Sequence, residues 1–274
     1  MTTRLEDLLR APSAGAATDV DPRATPGVED RDVAEAELVD LAERLDGWQE
    51  RLWAEGTRSV LLVLQGMDTS GKGGTIRHVV RAMNPSGVRV AAFKKPTDEE
   101  LSHHFLWRIE RRLPTPGEVA VFDRSQYEDV LIVRVHGLVE EPVWRARYEE
   151  ITRWEQQVVG RGTTIVKCFL HISYDEQRER LLDRLDDPTK HWKFHVGDLD
   201  ERRRWPDYAA AYDEAIARCS TEAAPWFVIP ADRTWYRNWA ITKLLVETFE
   251  RIDPRYPASD LDVPDLRARL APPN

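Results

Sequence analysis

A glycine-rich loop between a predicted strand and a predicted helix places the strongest constraint on the fold of this chain. Residues 59–65 (SVLLVLQ) form a short apolar run typical of a buried strand, and residues 75–83 have the apolar spacing of a helix. Residues 66–74 (GMDTSGKGG) lie between them and contain the pattern Gly-x-x-x-x-Gly-Lys. Glycines allow successive backbone N–H groups to point inward, and the start of a helix adds partial positive charge. This context predicts a P-loop that binds a chain of phosphates, rather than a chance match in a glycine-rich turn.

Within the loop, Lys72 is predicted to carry a mobile positive charge to the outer phosphates. The usual P-loop has Ser or Thr after the lysine to hold Mg²⁺, but Gly73 stands there in this chain. Asp68 is the expected substitute ligand, with Thr75 as a weaker candidate and a turn-forming role for Asp68 as the alternative. The residues predicted to contact phosphate or nucleotide are Gly66, Met67, Thr69, Ser70, Gly71, Gly73, Gly74 and Thr75.

Two later strand ends carry charged residues that suit the same site. Residues 117–122 form an apolar strand that ends in Asp123 and Arg124, which is the Walker B arrangement of a magnesium-binding carboxylate. Arg124 is expected beside the phosphates as a planar cation. Lys94 and Lys95 follow a strand at residues 88–93, and ligands bind at the carboxyl ends of parallel strands. The alternative for the two lysines is a solvated surface pair.

Alternating strands and helices from the loop onward predict a parallel sheet in a three-layer α/β/α fold. Further strands are expected at 163–172 and 226–230, with helices at 33–53, 99–112, 143–159, 175–185, 208–218 and 235–251. Residues 1–29 lack periodicity and are predicted to be a mobile arm, residues 30–257 the kinase domain, and the proline-rich residues 258–274 a tail on its surface. Residues 178–205 mix bases and aromatics around Pro188, which suggests a hinged lid; a solvated helical hairpin is the alternative.

Composition excludes several classes of protein. The net charge is -9, so non-specific binding to nucleic acid or to an anionic membrane is not expected. The two cysteines, Cys168 and Cys219, lack metal-site spacing, and no apolar run is long enough to span a bilayer. We therefore expect a cytoplasmic protein whose positive charge is local to the phosphate site.

Several segments together resemble the polyphosphate kinase family 2. They are the loop 66–74 with Gly73 after Lys72, the strand end 122–130 (FDRSQYEDV), the lid stretch 192–194 (WKF) and residues 253–257 (DPRYP). The resemblance implies a thymidylate-kinase-like P-loop kinase with a helical lid, often a dimer or tetramer. Its reversible reaction moves the terminal phosphoryl group of inorganic polyphosphate to an adenine or guanine nucleotide.

Carried over by position, the resemblance implies that Asp68 and Asp123 hold Mg²⁺, or Mn²⁺ in its place. Lys72, Arg124 and Arg184 would act on the transferring phosphate, and Arg77, Lys94, Lys95 and Lys193 would bind polyphosphate. The segment 127–136 resembles the subgroup that accepts both AMP and ADP, whereas Asp123 is typical of the diphosphate-preferring subgroup. His191 and residues 196–197 also depart from the family pattern in the lid. The acceptor therefore stays open.

Two other functions fit the loop. An ATP-dependent kinase of nucleoside monophosphates or small molecules would use the same fold with ATP as its donor. A nucleotide-binding scaffold without turnover is the third possibility, but the presence of Lys72, Asp68, Asp123 and Arg124 together argues against it.

Overall fold

The central element is a five-stranded parallel sheet. In this computed structural model, which describes residues 3–270, the strands are β1 (Ser59–Gln65), β2 (Val88–Ala92), β3 (Val119–Asp123), β4 (Thr163–His171) and β5 (Trp226–Pro230). Their order in the sheet is β2-β3-β1-β4-β5, with every neighbouring pair parallel. The register pairs Leu64 with both Asp123 and Cys168, so β1, which precedes the glycine loop, occupies the middle of the sheet.

Helices cover both faces of the sheet. Within the described residues they are α1 (Leu5–Leu9), α2 (Arg31–Glu55), α3 (Lys72–Arg81), α4 (Asp98–Leu101), α5 (Trp107–Glu110), α6 (Ile132–Val135), α7 (Glu141–Gly160), α8 (Tyr174–Asp186), α9 (Gly197–Arg203), α10 (Trp205–Cys219), α11 (Thr234–Ile252) and α12 (Val263–Leu270). Short 3-10 turns lie at Ala17–Asp19, Pro85–Gly87, Gln126–Asp129 and Pro188–Lys193.

The core divides along the period-two alternation of β1. Leu62 and Leu64 belong to the larger apolar cluster, which includes most of α11, whereas Leu61 and Val63 face a smaller cluster with Phe122 and residues of α5 and α7. All seven residues of β1 are buried, which is expected of a central parallel strand covered on both faces. The predicted α/β/α fold with a parallel sheet is confirmed.

The predicted helix at 99–112 is wrong in its continuity. Two short helices, α4 and α5, replace it, and residues 102–106 between them are not helical. The capping box of Thr97 and Glu100 starts α4 as the acids of its first turn suggest. The backbone carbonyl of His104 then accepts the N–H of Trp107 at 2.8 Å, at the start of the second helix. The capping box that starts α4 is a local signal, whereas the spacing of apolar residues does not indicate the break at residues 102–106.

Residues 3–29 were predicted to be a mobile arm, but in the structure this segment packs against the core. Leu5 and Leu9 on α1 are buried in the main cluster, and the N–H of Ala11 donates to the carbonyl of Trp226 at 2.8 Å. The carboxylate of Glu247 on α11 accepts the N–H groups of Leu5 and Glu6, both at 3.0 Å. The residues that these contacts join are more than two hundred positions apart in the chain, so local composition could not predict the contacts. Residues 1–2 of the predicted arm lie outside the described residues.

The C-terminal tail contains the helix α12, none of whose residues is buried, after an irregular stretch. Residues 271–274 of the predicted tail lie outside the described residues. No helix between residues 3 and 270 is both long and apolar enough to cross a membrane.

Candidate active site

The glycine loop connects β1 directly to α3. The helix begins at Lys72, three residues earlier than expected, with Gly71 as its N-cap at φ +99°. Thr69 has φ +64°, a left-handed conformation that is rare for a β-branched residue and costs about 1–3 kcal/mol. Gly66 cannot be replaced easily, because a Cβ there would lie 2.7 Å from the carbonyl oxygen of Leu170. The loop is therefore tightly curled, as a phosphate-binding loop requires.

Lys72 lies within the curve of this loop. Its ammonium donates to the carbonyl oxygens of Gly66 at 2.7 Å and Met67 at 3.2 Å. Burial, and to a smaller extent the neighbouring Arg124 guanidinium, lowers the pKa of Lys72 from its ordinary value. The carboxylates of Asp68 and Asp123 act in the opposite direction on the same pKa, so these charges lie close together.

Asp123 and Arg124 reach the loop because β3 is paired with β1. Arg124 has φ +66°, which turns the chain sharply after the strand. Its guanidinium donates to Asp68 Oδ1 at 3.3 Å and lies 3.8 Å from Glu128. Glu128 also accepts a hydrogen bond from the amide of Gln65 at 2.9 Å, and burial raises its pKa. The end of β3 thus supplies a cation and two carboxylates to the loop.

Asp68 and Asp123 fit a divalent cation with oxygen ligands. The Oδ1 atom of Asp123 is buried and has no hydrogen-bond partner among the described residues, while the Asp68 side chain is 37% exposed. Two carboxylates suit Mg²⁺, which keeps several waters and takes phosphate oxygens as further ligands. Thr75, the weaker candidate, is engaged elsewhere, because its hydroxyl donates to the carbonyl of Gly71 at 3.2 Å. No cluster of three or more His, Cys, Asp or Glu suited to a metal occurs between residues 3 and 270.

A cavity of about 660 Å³ opens beside the loop. Its charged and polar lining residues include Asp68, Lys94, Lys95, Arg108, Arg124, Asp129 and Arg147. Its apolar and aromatic lining residues include Leu131, Ile132, Val133, Leu138, Trp205, Tyr208 and Tyr212. This volume and mixed lining suit a ligand that combines anionic groups with a flat organic group.

Asp129 and Arg147 form an ion pair in the wall of this cavity. Arg147 donates to the Asp129 carboxylate at 3.1 Å and to the Asp129 carbonyl at 3.0 Å. Burial raises the pKa of Asp129 to about 6 despite the opposing effects of Arg147 and Arg108. The carboxylate can therefore change charge close to neutral pH.

The match of this sequence to a protein family agrees with the geometry of the site. The family model described as polyphosphate kinase 2 matches residues 28–257, which is most of the chain. The chain belongs to the polyphosphate kinase 2 family. The resemblance inferred from the loop, the strand end and the lid is confirmed.

Similar proteins cover nearly the same span. An AMP/ADP-polyphosphate phosphotransferase from Meiothermus ruber is 54% identical over 80% of this chain and 82% of its own length. An ADP-polyphosphate phosphotransferase from Rhodopseudomonas palustris is 45% identical over 78% of each chain. The crystal structure of polyphosphate kinase 2 from Arthrobacter aurescens TC1 matches with a TM-score of 0.95 and 48% identity, over 98% of this chain and 96% of that one.

In this polyphosphate kinase 2 chain, the structure brings together some of the predicted site residues. Gly66, Met67, Asp68, Lys94, Lys95 and Arg124 all line the cavity. Of the other loop residues, Ser70 is buried before α3 begins, and Gly73 and Gly74 are exposed in the first turn of α3. Arg77 is exposed on the outer side of α3 and does not line the cavity.

Arg184 and Lys193, both in the segment predicted as a lid, contact each other rather than the cavity. Arg184 donates to the carbonyl of Lys193 at 2.9 Å and lies 3.5 Å from Asp198, which joins α8 to α9 through the 3-10 turn. The segment predicted as a lid reaches the cavity instead through Trp205 and through Glu201 on α9. Its carboxylate accepts from Tyr208 at 2.6 Å and lies 3.0 Å from His136. The roles of Arg184 and Lys193 stay predictions.

Several cavity and loop residues were not identified from the sequence. Arg108 and Arg147 occur in segments with many other arginines, so their spacing carries no signal. Tyr212 accepts the N–H of Gly66 at 3.1 Å, and Gln177 donates to the carbonyl of Asp68 at 3.0 Å. Arg180 and Arg237 also contact the loop. Only the packing of α8, α10 and α11 around the loop reveals these residues.

Proposed function

We propose that this chain transfers the terminal phosphoryl group of inorganic polyphosphate to AMP and ADP. The observation that carries the proposal is the contact of Arg124 with Asp68 of the loop beside a cavity that both residues line together with further cationic and aromatic side chains. Membership of the family and the 54% identity to an AMP/ADP-polyphosphate phosphotransferase support the donor and the two acceptors. A guanine nucleotide is a further candidate acceptor, since a 32% identical relative is named a putative GDP-polyphosphate phosphotransferase.

Polyphosphate is proposed to lie on the loop, and the nucleotide in the cavity. Lys72 and the loop N–H groups hold the terminal phosphates of the donor, whose chain continues past Arg77, Lys94, Lys95 and Lys193. Arg124 neutralises charge on the phosphate that is transferred, and Arg184 joins it when the lid closes. Asp68 and Asp123 would hold Mg²⁺ or Mn²⁺. When bound, this ion neutralises the part of the phosphate charge that Arg124 and Arg184 do not neutralise.

The reaction is an in-line displacement at phosphorus. An oxygen of the nucleotide's terminal phosphate forms the new P–O bond while the bridging P–O bond of polyphosphate breaks. The shortened polyphosphate leaves as an anion, and the attacking oxygen is already ionised, so the protein need not remove a proton. Alignment and charge neutralisation are the main requirements. Closure of the lid over the cavity would exclude water, which could otherwise accept the phosphoryl group.

A nucleotide product assay tests the proposal. With Mg²⁺ and long-chain polyphosphate, we expect ADP from AMP and ATP from ADP. Lys72→Ala and Asp123→Ala should each lower turnover at least about a hundredfold, the size of a lost electrostatic contribution at such a site. Products that form only when ATP is the donor would contradict the proposal, as would near-normal turnover in either variant.

The expected dimer or tetramer stays a prediction. Light scattering during size-exclusion chromatography measures the mass of the particle directly. A mass equal to that of a single chain would contradict the expectation.

A further inference from the structure

Arg237 is a buried arginine without a carboxylate partner. Arg237 lies in the first turn of α11 and is only 4% exposed. No ion pair joins it to another described residue. Its Nε and Nη2 atoms donate to the side-chain oxygen of Asn238 at 3.3 and 3.0 Å. A buried guanidinium normally has an anionic partner, because removing the charge from water is costly.

The Arg237 guanidinium lies against the outer side of the glycine loop. Its Nη1 atom donates to the carbonyl of Ser70 at 3.4 Å. A Cβ placed on Gly71 would lie 1.8 Å from this Nη1, and a Cβ on Gly74 would lie 3.3 Å from Nη2. A side chain at 71 would displace Arg237, and the φ of +99° favours glycine there in any case, while Arg237 also leaves little room at 74.

Arg180 from α8 supports the same side of the loop. Its Nη1 donates to the carbonyl of Thr69 at 2.9 Å, while Nη2 donates to the carbonyls of Ala231 and Asp232 at 2.6 and 3.0 Å. Unlike Arg237, it has a carboxylate partner, Glu176, at 2.8 Å. Two cations thus lie behind consecutive carbonyls of the loop. Burial, and then the charge of Arg180, lowers the pKa of Arg237 to about 10, which leaves it charged at neutral pH.

The contact with Ser70 determines where the next N–H points. The C=O and N–H of one trans peptide point in opposite directions. When Arg237 donates to the Ser70 carbonyl from outside, the N–H of Gly71 must face the inner side of the loop, where phosphate would bind. The buried charge also raises the electrostatic potential at this inner side, where low dielectric makes the effect strong.

We propose that Arg237 is a positioning residue of the phosphate site. It orients the N–H of Gly71 toward the phosphate of the donor. The negative charge of this phosphate compensates the positive charge of Arg237, which has no carboxylate partner among the described residues. The inference rests on the proposed role of the loop in binding polyphosphate.

The test compares Arg237→Met and Arg237→Lys with a matched control, Arg251→Met. Arg251 lies at the other end of the same helix, is exposed and, among the residues that the structure describes, pairs only with Glu6 at 3.6 Å. We expect Arg237→Met to raise the KM for polyphosphate at least tenfold while the KM for ADP changes less than twofold. Arg237→Lys should recover part of the loss, because it restores the charge but not the separate guanidinium nitrogens that reach Ser70 and Asn238. Dilute guanidinium chloride should also partly restore the KM for polyphosphate in Arg237→Met, but not change that of Arg251→Met.

Binding of polyphosphate without nucleotide, measured by calorimetry, separates the possible failures. If the wild-type protein binds and uses polyphosphate but Arg237→Met has an unchanged KM for it, the inference is wrong and the proposed function stands. Equal losses for polyphosphate and ADP, with no recovery in Arg237→Lys or with guanidinium, would indicate a structural role only and overturn the inference. If the wild-type protein neither binds nor uses polyphosphate, the proposed function itself fails. Should Arg237→Met not fold, Arg237→Lys alone decides: a KM for polyphosphate within twofold of the wild-type value in that variant overturns the inference.

Discussion

At the scale of single residues, the wall of the cavity contains a carboxylate whose charge state depends on pH. Asp129 is 16% exposed at its side chain and pairs with Arg147. Because burial raises its pKa to about 6, the folded protein binds this proton more tightly than the unfolded chain, where the ordinary value is 3.8. The contribution of Asp129 to stability is therefore fully present below pH 3.8 and is lost as pH rises through 6.

Replacing Asp129 by Asn should remove this dependence on pH. Between pH 6.5 and 4.5 the wild-type free energy of unfolding should gain up to about 1.4 kcal/mol per pH unit relative to Asp129→Asn. Urea denaturation at several pH values measures the difference. Asp46→Asn, at an exposed position in α2, is the control and should follow the wild-type curve. A wild-type curve parallel to that of Asp129→Asn would contradict the raised pKa.

At the scale of secondary-structure elements, a five-residue helix seals one side of the core. Leu5 and Leu9 of α1 are each 2% exposed, whereas Leu8 on the same helix is 45% exposed. The segment continues to Arg10, which forms an antiparallel bridge with Phe227 of β5. The three leucines therefore differ in burial although they share one short helix and one residue type.

This difference predicts a contrast among alanine variants. Leu5→Ala and Leu9→Ala should each lower the free energy of unfolding by about 2–5 kcal/mol, since each removes a buried side chain. Leu8→Ala, the matched control, should change it by less than about 0.5 kcal/mol. Chemical denaturation of the three variants is sufficient. Similar small effects in all three would mean that the segment does not pack on the core in solution.

At the scale of the whole molecule, one buried ion pair connects four separate elements. Lys167 on β4 donates to Glu155 of α7 at 2.6 Å, to the Tyr127 hydroxyl at 2.8 Å and to the carbonyl of Cys219 at 2.8 Å. Glu155 also accepts from Gln126 at 2.9 Å. Gln126 and Tyr127 lie just after Arg124, so this pair supports the segment that carries the end of β3.

Lys167→Met should cost about 3–5 kcal/mol of unfolding free energy, because it leaves the Glu155 charge buried without a partner. The exposed pair of Arg153 and Glu149 on the same helix is the control, and Arg153→Met should cost less than about 1 kcal/mol.

The double variant Lys167→Met/Glu155→Gln should be more stable than Lys167→Met, because it removes the buried charge while it keeps an acceptor for Gln126 and Tyr127. Thermal and urea denaturation of the single and double variants form a double-mutant cycle. Simple addition of the two single costs would contradict the pairing.

The sequence by itself determined the loop, the sheet strands around it and the family. These depend on short-range properties: glycine conformations at 66 and 71, apolar runs such as that of β1, and charged residues placed directly after a strand. Asp68, Lys72, Asp123 and Arg124 could be selected because each lies next to such a signal. The prediction of a continuous helix at 99–112 failed because no local sequence signal marks the break between α4 and α5.

Only the tertiary structure decided which distant charges surround the site. Arg237 meets Ser70 across 167 residues, and Glu247 meets Leu5 across 242. Periodicity describes which face of an element is apolar, but not which arginine of that element will lie against a particular carbonyl. That choice depends on the sheet order and on how α1, α8 and α11 pack around β1 and the loop, and this packing is a property of the whole chain.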